Sequence, residues 1–255
     1  MLILTSPAKT LDFESKWNQT IISQPQYLLE AADLIKRLRL VSKEDLMTKM
    51  KVSDTIAALN KERFNNWTMN HTTKNARPAI LAYSGDIYRQ LEPQNYPPKK
   101  QKYLQDTVRI ISGLYGLLRP YDLIQPYRLE MSSQVMDGVN KKLYSFWGDK
   151  ITQTINEEID YNNHTFVLNL ASKEYADVVQ KQSLRAPVLT IEFRQRKDGQ
   201  LVNQGLLAKR ARGMMIHYTI EHLVSDRKDL RAFSYDGYIL EDETKDSMTY
   251  IKSIS

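Results

Sequence analysis

The chain has 255 residues, 42% of them hydrophobic, enough to bury one large core or two modest ones. It contains no cysteine, which excludes disulfides, thiolate catalysis and cysteine-based zinc or iron–sulfur sites. A formal charge of +6 and a pI of about 9.2 favour an anionic partner, and no apolar run approaches the roughly 20 residues of a membrane span.

Nine glycines and nine prolines are scattered without a repeat or a linker-like tract, so a single domain over residues 1–255 is expected. The opening MLILTSPAKT has no basic region and too short an apolar run for a signal peptide, which makes a cytoplasmic protein the expectation, with no membrane partner. The charge is segregated. Residues 185–231 carry ten Lys/Arg against five Asp/Glu, whereas residues 232–255 carry two against five.

In chain order, Leu2-Ile3-Leu4 reads as a short buried strand that stops at Ser6-Pro7. From about Tyr27 to Trp67 the pattern is helical, with Leu28, Ala32, Ile35 and Leu38 on one stripe. Ser42 and Ser53 each precede a helix start and suit N-caps. Ala79 to Tyr83 is a second strand candidate ending at Ser84-Gly85-Asp86, and Pro97-Pro98-Lys99-Lys100 reads as a basic loop.

Val108 to Ile111 is the next strand, and it runs into a stretch rich in breakers, SGLYGLLRPYDLIQPYRLEM, where Pro120 and Pro126 stop any long helix. Spacings of four among Leu143, Trp147, Ile151 and Ile155 predict a helix over 141–159. Thr165 to Leu170 is a strand, and Ser172 suits the cap of a following helix. Pro187 to Arg194 alternates as a half-buried strand does, with Asp198-Gly199 as a hairpin turn before Leu201-Val202. A basic amphipathic helix over 206–223 has Leu207, Ala211, Met214 and Tyr218 as its apolar stripe. Residues 238–240 and 248–251 close the sheet. These elements predict a mixed α/β fold, a central mixed sheet surrounded by helices.

Four apolar runs end in small polar residues: Ser6, Ser84-Gly85-Asp86, Ser112-Gly113, and Asn169 with Ser172. Open α/β sheets bind ligands outside the carboxyl ends of their strands, so these ends are expected to line one crevice. Lys9, Arg119, Arg128, Lys209 and Arg212 could make it cationic, and Gly113 and Gly116 could offer backbone N–H groups to phosphate. Asp86 and Glu130 are the carboxylates available for acid–base work, although the sequence pairs neither with a partner. Four scattered histidines form no zinc motif: His217 and His222 share no helix face, and His71 and His164 fall in polar segments. There is no phosphate-binding P-loop and no GxGxxG, and no metal or cofactor is expected.

Six blocks carry a more specific signal: MLILTSPAKTLDF, YSGDIYRQL, ISGLYGLLRPYDLIQPYRLEM, LYSFWGDKIT, LNLASKEY and LAKRARGMM, in that order. Together they resemble the bacterial YaaA family of peroxide-stress proteins, also designated UPF0246, over nearly the whole chain. The resemblance implies a positively charged cleft and binding of double-stranded or structured DNA without sequence specificity, with a role in limiting iron-linked oxidative damage. By position it assigns the cleft to Lys9, Arg119, Arg128, Lys209, Arg210 and Arg212. It also implies a helix-hairpin-helix-like element, for which Gly113-x-x-Gly116 and the Ser42 and Ser53 junctions compete. An enzyme acting on a small anionic or nucleotide-like substrate in the same crevice is the alternative, and a scaffold that docks a protein on its basic face is a third.

Overall fold

The structure, a computed structural model, describes residues 1–18, 21–135, 143–202 and 204–254. Strand β1 (Leu2–Thr5) is followed by three helices, α1 (Leu28–Leu38), α2 (Lys43–Met50) and α3 (Asp54–Asn66). The short β2 (Arg77–Pro78) and α4 (Ala79–Ala82) lead to α5 (Pro98–Thr107), then β3 (Val108–Ser112), β4 (Gly116–Leu118) and β5 (Leu123–Ile124). Next come α6 (Leu143–Trp147), α7 (Lys150–Tyr161), β6 (Val167–Asn169) and α8 (Lys173–Ala176). The chain closes with β7 (Val188–Lys197), β8 (Gln200–Val202), α9 (Gly205–His222), β9 (Ile239–Glu243) and β10 (Ser247–Ser253).

The fold is the expected mixed α/β domain, in which a central sheet of eight strands is surrounded by helices. Five strands run parallel in the order β3-β1-β6-β7-β10, while β4, β9 and β8 pair antiparallel at its margins. Leu2, Ile3, Val108, Ile110, Val167 and Leu168 are fully buried, as befits parallel strands covered on both faces. From β1 the chain first builds β3 on one side, then returns to place β6 on the other. The carboxyl end of β1, where Ser6–Lys9 begins, is therefore the topological switch point of the sheet.

Several local readings hold. Ser42 and Ser53 accept hydrogen bonds from the N–H groups of Asp45 and Ile56 and so cap α2 and α3. Asp198 and Gly199 take φ of 49° and 78°, the left-handed pair of a tight hairpin between β7 and β8.

Others need correction. Residues 79–83 form the helical turn α4 rather than a strand, because the Asp122 and Pro120 carbonyls accept the N–H groups of Ala79 and Ile80 while Tyr83 N–H closes back on Ala79. A short apolar run does not distinguish the two by pattern alone. The basic loop at Pro97–Lys100 is instead the start of α5, with Pro98 at the first helical position, where its missing N–H costs nothing.

The helix expected over 141–159 divides at Gly148 (φ 52°) into α6 and α7, and residues 141–142 lie outside those described. Leu143, Trp147, Ile151 and Ile155 are nonetheless all buried. On α9 the anchor is Ala208, Ala211, Met215 and Tyr218, with Leu207 and Met214 only partly buried. Ser172 precedes α8 without a side-chain cap bond. Among the described residues no helix is long and apolar enough to cross a membrane.

Candidate anion-binding cleft

Four segments meet above the switch point. Residues 6–10 follow β1, residues 84–88 follow α4, residues 172–175 follow β6, and Lys209 and Arg212 reach in from α9. They enclose a cleft of about 510 Å³.

Two glycines bring these walls together. A Cβ at Gly85 would stand 2.9 Å from the Ala8 Cβ, so the two loops touch only because Gly85 has no side chain. A Cβ at Gly213 would run into the Ile87 carbonyl oxygen and press on Gln90, so α9 lies flush against the 87–90 turn only with glycine there. Tyr88 adds a tie, since its hydroxyl donates to the Ser6 carbonyl at 2.8 Å. Ser6 Oγ accepts the Ser172 N–H at 2.9 Å and lies 3.3 Å from the Ser172 hydroxyl, which joins the β1 and β6 loops.

The charges on these walls fall into two groups. The carboxylates and Lys173 are engaged elsewhere: Glu174 accepts the Ser132 N–H and hydroxyl, Lys173 pairs with Asp177, and Asp86 faces Arg89 at 3.9 Å. Lys9 lies 3.4 Å from Glu130 and is otherwise open to solvent. Among the described residues the side chains of Lys209 and Arg212 have no hydrogen bond or ion pair to any other group. Arg212 is half-buried, and that burial alone pulls its guanidinium below the ordinary pKa. A partly desolvated arginine with no counter-charge, facing an open volume, has the chemistry to accept an anion.

The expected site residues distribute unevenly. Ser6, Lys9, Gly85, Asp86, Ser172, Lys209 and Arg212 line the cleft. Glu130 and Arg128 lie in a recess beside it with Lys9; Arg128 Nε donates to Glu130 at 2.9 Å, while Glu130 Oε2 is buried without a partner. Arg210 points outward on α9, exposed and outside the cleft.

Ser112 is fully buried and shares a hydrogen bond with the Tyr127 hydroxyl, which also meets the Tyr83 hydroxyl at 2.5 Å. Asn169 turns its side-chain oxygen to the Ala171 N–H. Both therefore belong to the core rather than to the cleft wall. Burial raises the Tyr83 and Tyr88 hydroxyls well above the usual range and the Tyr127 hydroxyl to about 12, so this network stays neutral.

Gly113 and Gly116 are also internal. A Cβ at Gly113 would meet the Leu129 carbonyl, and one at Gly116 (φ 68°) would lie 2.6 Å from the Trp147 ring. The protein itself fills the space where a ligand was expected, and the segment is the turn of the β3–β4 hairpin rather than a helical hairpin. Arg119 is at the other end of the sheet. Antiparallel β4 sets Leu118 opposite Ile110, so Arg119 continues towards the amino end of β3, where it is bound to Asp122 at 3.0 Å.

Some functional candidates were not read from the sequence. Gly213 could have been, since a glycine between Arg212 and Met214 in mid-helix calls for a close neighbour. The turn between α2 and α3, which contains the Ser53 junction, passes through Lys51 (φ 53°), and what the sequence does not show is that Lys49 and Lys51 share a second cavity of about 260 Å³ with Lys9 and Glu130. That closeness comes from the tertiary fold. Three of the four histidines are tied into the structure: His71 is buried against the Tyr115 hydroxyl, His164 is buried within the electrostatic reach of the Met1 amino terminus and Arg109, and His217 meets the Tyr96 hydroxyl, while His222 is exposed beside the Tyr218 ring.

Comparison with known proteins gives a consistent result. The chain matches the family described as peroxide stress protein YaaA over residues 1–244. It is 40% identical over 251 residues to a UPF0246 protein of Aliivibrio fischeri (strain MJ11), covering 98% of this chain and 97% of that one. A UPF0246 protein of Janthinobacterium sp. (strain Marseille) is 41% identical over 251 residues, with the same coverage. One from Shewanella baltica (strain OS195) is 42% identical over 243 residues, 95% of each chain.

Proposed function

The chain belongs to the family of peroxide stress protein YaaA, and from that premise we propose that it binds DNA without sequence specificity through the cleft above β1. The observation that carries this reading is the unpaired Arg212 and Lys209, which share one concavity with Lys9. Phosphate binding there would replace the missing counter-charge and need no sequence information from the bases. Arg210 beside the cleft, and Lys49 and Lys51 on the α2–α3 turn, extend the cationic surface a duplex would lie on. On this reading the protein limits iron-linked oxidative damage by occupying the backbone it protects. The test is a titration with duplex, junction and single-stranded DNA over a range of salt, followed by strand scission with ferrous iron and peroxide. Tight, salt-sensitive binding and protection that both disappear in Arg212→Gln/Lys209→Gln support the reading. Salt-independent binding, or protection by the variant, refutes it.

A second reading has its own observation. The cleft is walled by four segments, and the adjoining recess holds Glu130, whose Oε2 is buried and unpartnered beside Lys9. An enzyme acting on a small anionic or nucleotide-like substrate would use such a carboxylate beside a cation, and that is what supports this reading. Turnover of a phosphorylated metabolite that is lost in Glu130→Gln, with no affinity for DNA, would favour it.

A further inference from the structure

Arg212 differs from the other cations around the cleft in where it stands. Lys9, Lys209 and Arg210 are exposed, and Lys49 and Lys51 belong to the neighbouring cavity, while Arg212 is half-buried in a cleft it shares with the 84–88 and 172–175 loops. We propose that the cleft takes a terminal phosphomonoester, the phosphorylated end of a DNA strand, while the rim cations carry the adjoining duplex. The inference rests on the DNA reading and narrows it from backbone in general to strand ends and nicks.

Size gives the first argument. A cavity of about 510 Å³ is the scale of one small ligand. The major groove of a duplex is already about 12 Å wide. A duplex lying across the mouth would bring its internal phosphates to the exposed Lys9, Lys209 and Arg210 and to the outer edge of the Arg212 fork without filling the cleft. A strand end projects, and its last phosphate can descend to Arg212.

Charge density gives the second. An internal phosphodiester carries one negative charge, whereas a monoester phosphate carries about −1.5 to −2 at neutral pH on three acceptor oxygens. The carboxylates on the cleft wall are turned to other partners: Glu174 to Ser132, Asp86 towards Arg89. The Arg212 fork and the Lys209 ammonium stay unneutralised, and the Ser172 hydroxyl lies on the same wall. A half-buried guanidinium gains more from a denser anion than an exposed one does, because less water screens the pair.

Shape gives the third. The contacts at Gly85 and Gly213 hold three of the walls at fixed separation, so the pocket does not depend on a mobile loop to form. A preorganised cleft discriminates between ligand ends better than a surface patch does.

The experiment compares one short duplex of about 30 base pairs, closed at both ends by hairpin loops so that it has no other terminus, in four forms: uninterrupted, nicked with a 5′-phosphate, nicked with a 3′-phosphate, and nicked with hydroxyls on both sides. Each is titrated against the full-length protein and against Arg212→Gln and Arg212→Lys variants whose folding has been checked by thermal unfolding. At least one phosphorylated nick is expected to bind about tenfold tighter than the hydroxyl nick, the scale of one charge-assisted contact. The preference should vanish in Arg212→Gln, return in part in Arg212→Lys, and identify which strand end is read. Equal binding of all four forms would overturn end recognition and leave the DNA reading intact. A preference that survives in Arg212→Gln would overturn it by locating the site elsewhere. Binding to none of the forms would overturn both.

Discussion

The segment 109–131 and the cleft beside it use the same kinds of residue to opposite ends. In the segment, glycine and arginine serve the interior: Gly113 clears the Leu129 carbonyl, Gly116 clears Trp147, and Arg119 and Arg128 are held by Asp122 and Glu130. In the cleft, Gly85 and Gly213 clear neighbouring walls so that a concavity forms, and Arg212 and Lys209 face it with no carboxylate bound to either. Glycine marks close approach, whether of the protein to itself or of the protein to a ligand. What separates the two regions is whether a counter-charge is supplied from within the chain.

The strongest test of that contrast is steric. Gly113→Val should drive a side chain into the Leu129 carbonyl and cost about 3 kcal/mol or more, with a large drop in urea midpoint or no folded protein. Gly213→Val should push α9 off the 87–90 turn, lowering stability by a similar amount and abolishing DNA binding as the cleft opens. The smaller Gly85→Ala, which meets only the Ala8 Cβ at 2.9 Å, should stay folded and weaken binding. A wild-type urea midpoint in Gly113→Val or Gly213→Val would remove the packing argument.

A second expectation concerns acid stability. His164 is held at about 4 by burial first, then by the Met1 amino terminus and Arg109. Its unfolded value is about 6.5, so as pH falls between the two the unfolded chain takes up a proton the folded chain refuses. Stability is therefore complete above about pH 6.5 and falls by up to roughly 3 kcal/mol on acidification towards pH 4. Urea midpoints at pH 7 and pH 4.5 measure this, and His164→Gln should flatten the difference. An unchanged pH dependence in the variant would assign the acid sensitivity to other groups.

The two arginine environments should also differ in stability. Asp122→Ala strips Arg119, Ser23 and the Arg119 N–H of a buried acceptor and should cost about 2–4 kcal/mol, although burial raises the Asp122 pKa above its ordinary value. Arg212→Gln removes a half-buried charge that nothing compensates, and its thermal midpoint should stay level or rise. A large destabilisation by Arg212→Gln would mean the guanidinium is structural.

Much of the fold was legible because parallel strands are continuous apolar runs and the Ser42, Ser53 and Asp198-Gly199 signals are local. The failures came where tertiary partners decide. Residues 79–83 turn helical because the 120–122 carbonyls receive their N–H groups, and Gly148 cuts a stripe that is periodic on both sides of it. For the site, the sequence indicated the strand ends and the basic helix, but not which arginines had counter-charges. Arg119 finds Asp122 three residues away, whereas Arg212 finds none, and sequence spacing alone does not separate those cases. The glycines that hold the cleft walls together, Gly85 and Gly213, are not the pair that the sequence makes conspicuous. Gly113 and Gly116 stand out in a breaker-rich segment, while Gly213 is concealed in a helix.

The most direct measurement is the salt dependence of duplex DNA affinity for three proteins: wild type, Arg212→Gln/Lys209→Gln, and Arg119→Gln. Each lost phosphate contact should reduce the log–log slope by about 0.9. The cleft double variant should therefore lose up to roughly two units of slope together with affinity, while Arg119→Gln, whose guanidinium is bound to Asp122 at the far end of the sheet, should match wild type. A wild-type slope in the double variant, or a reduced slope in Arg119→Gln, would contradict the assignment of phosphate binding to the cleft.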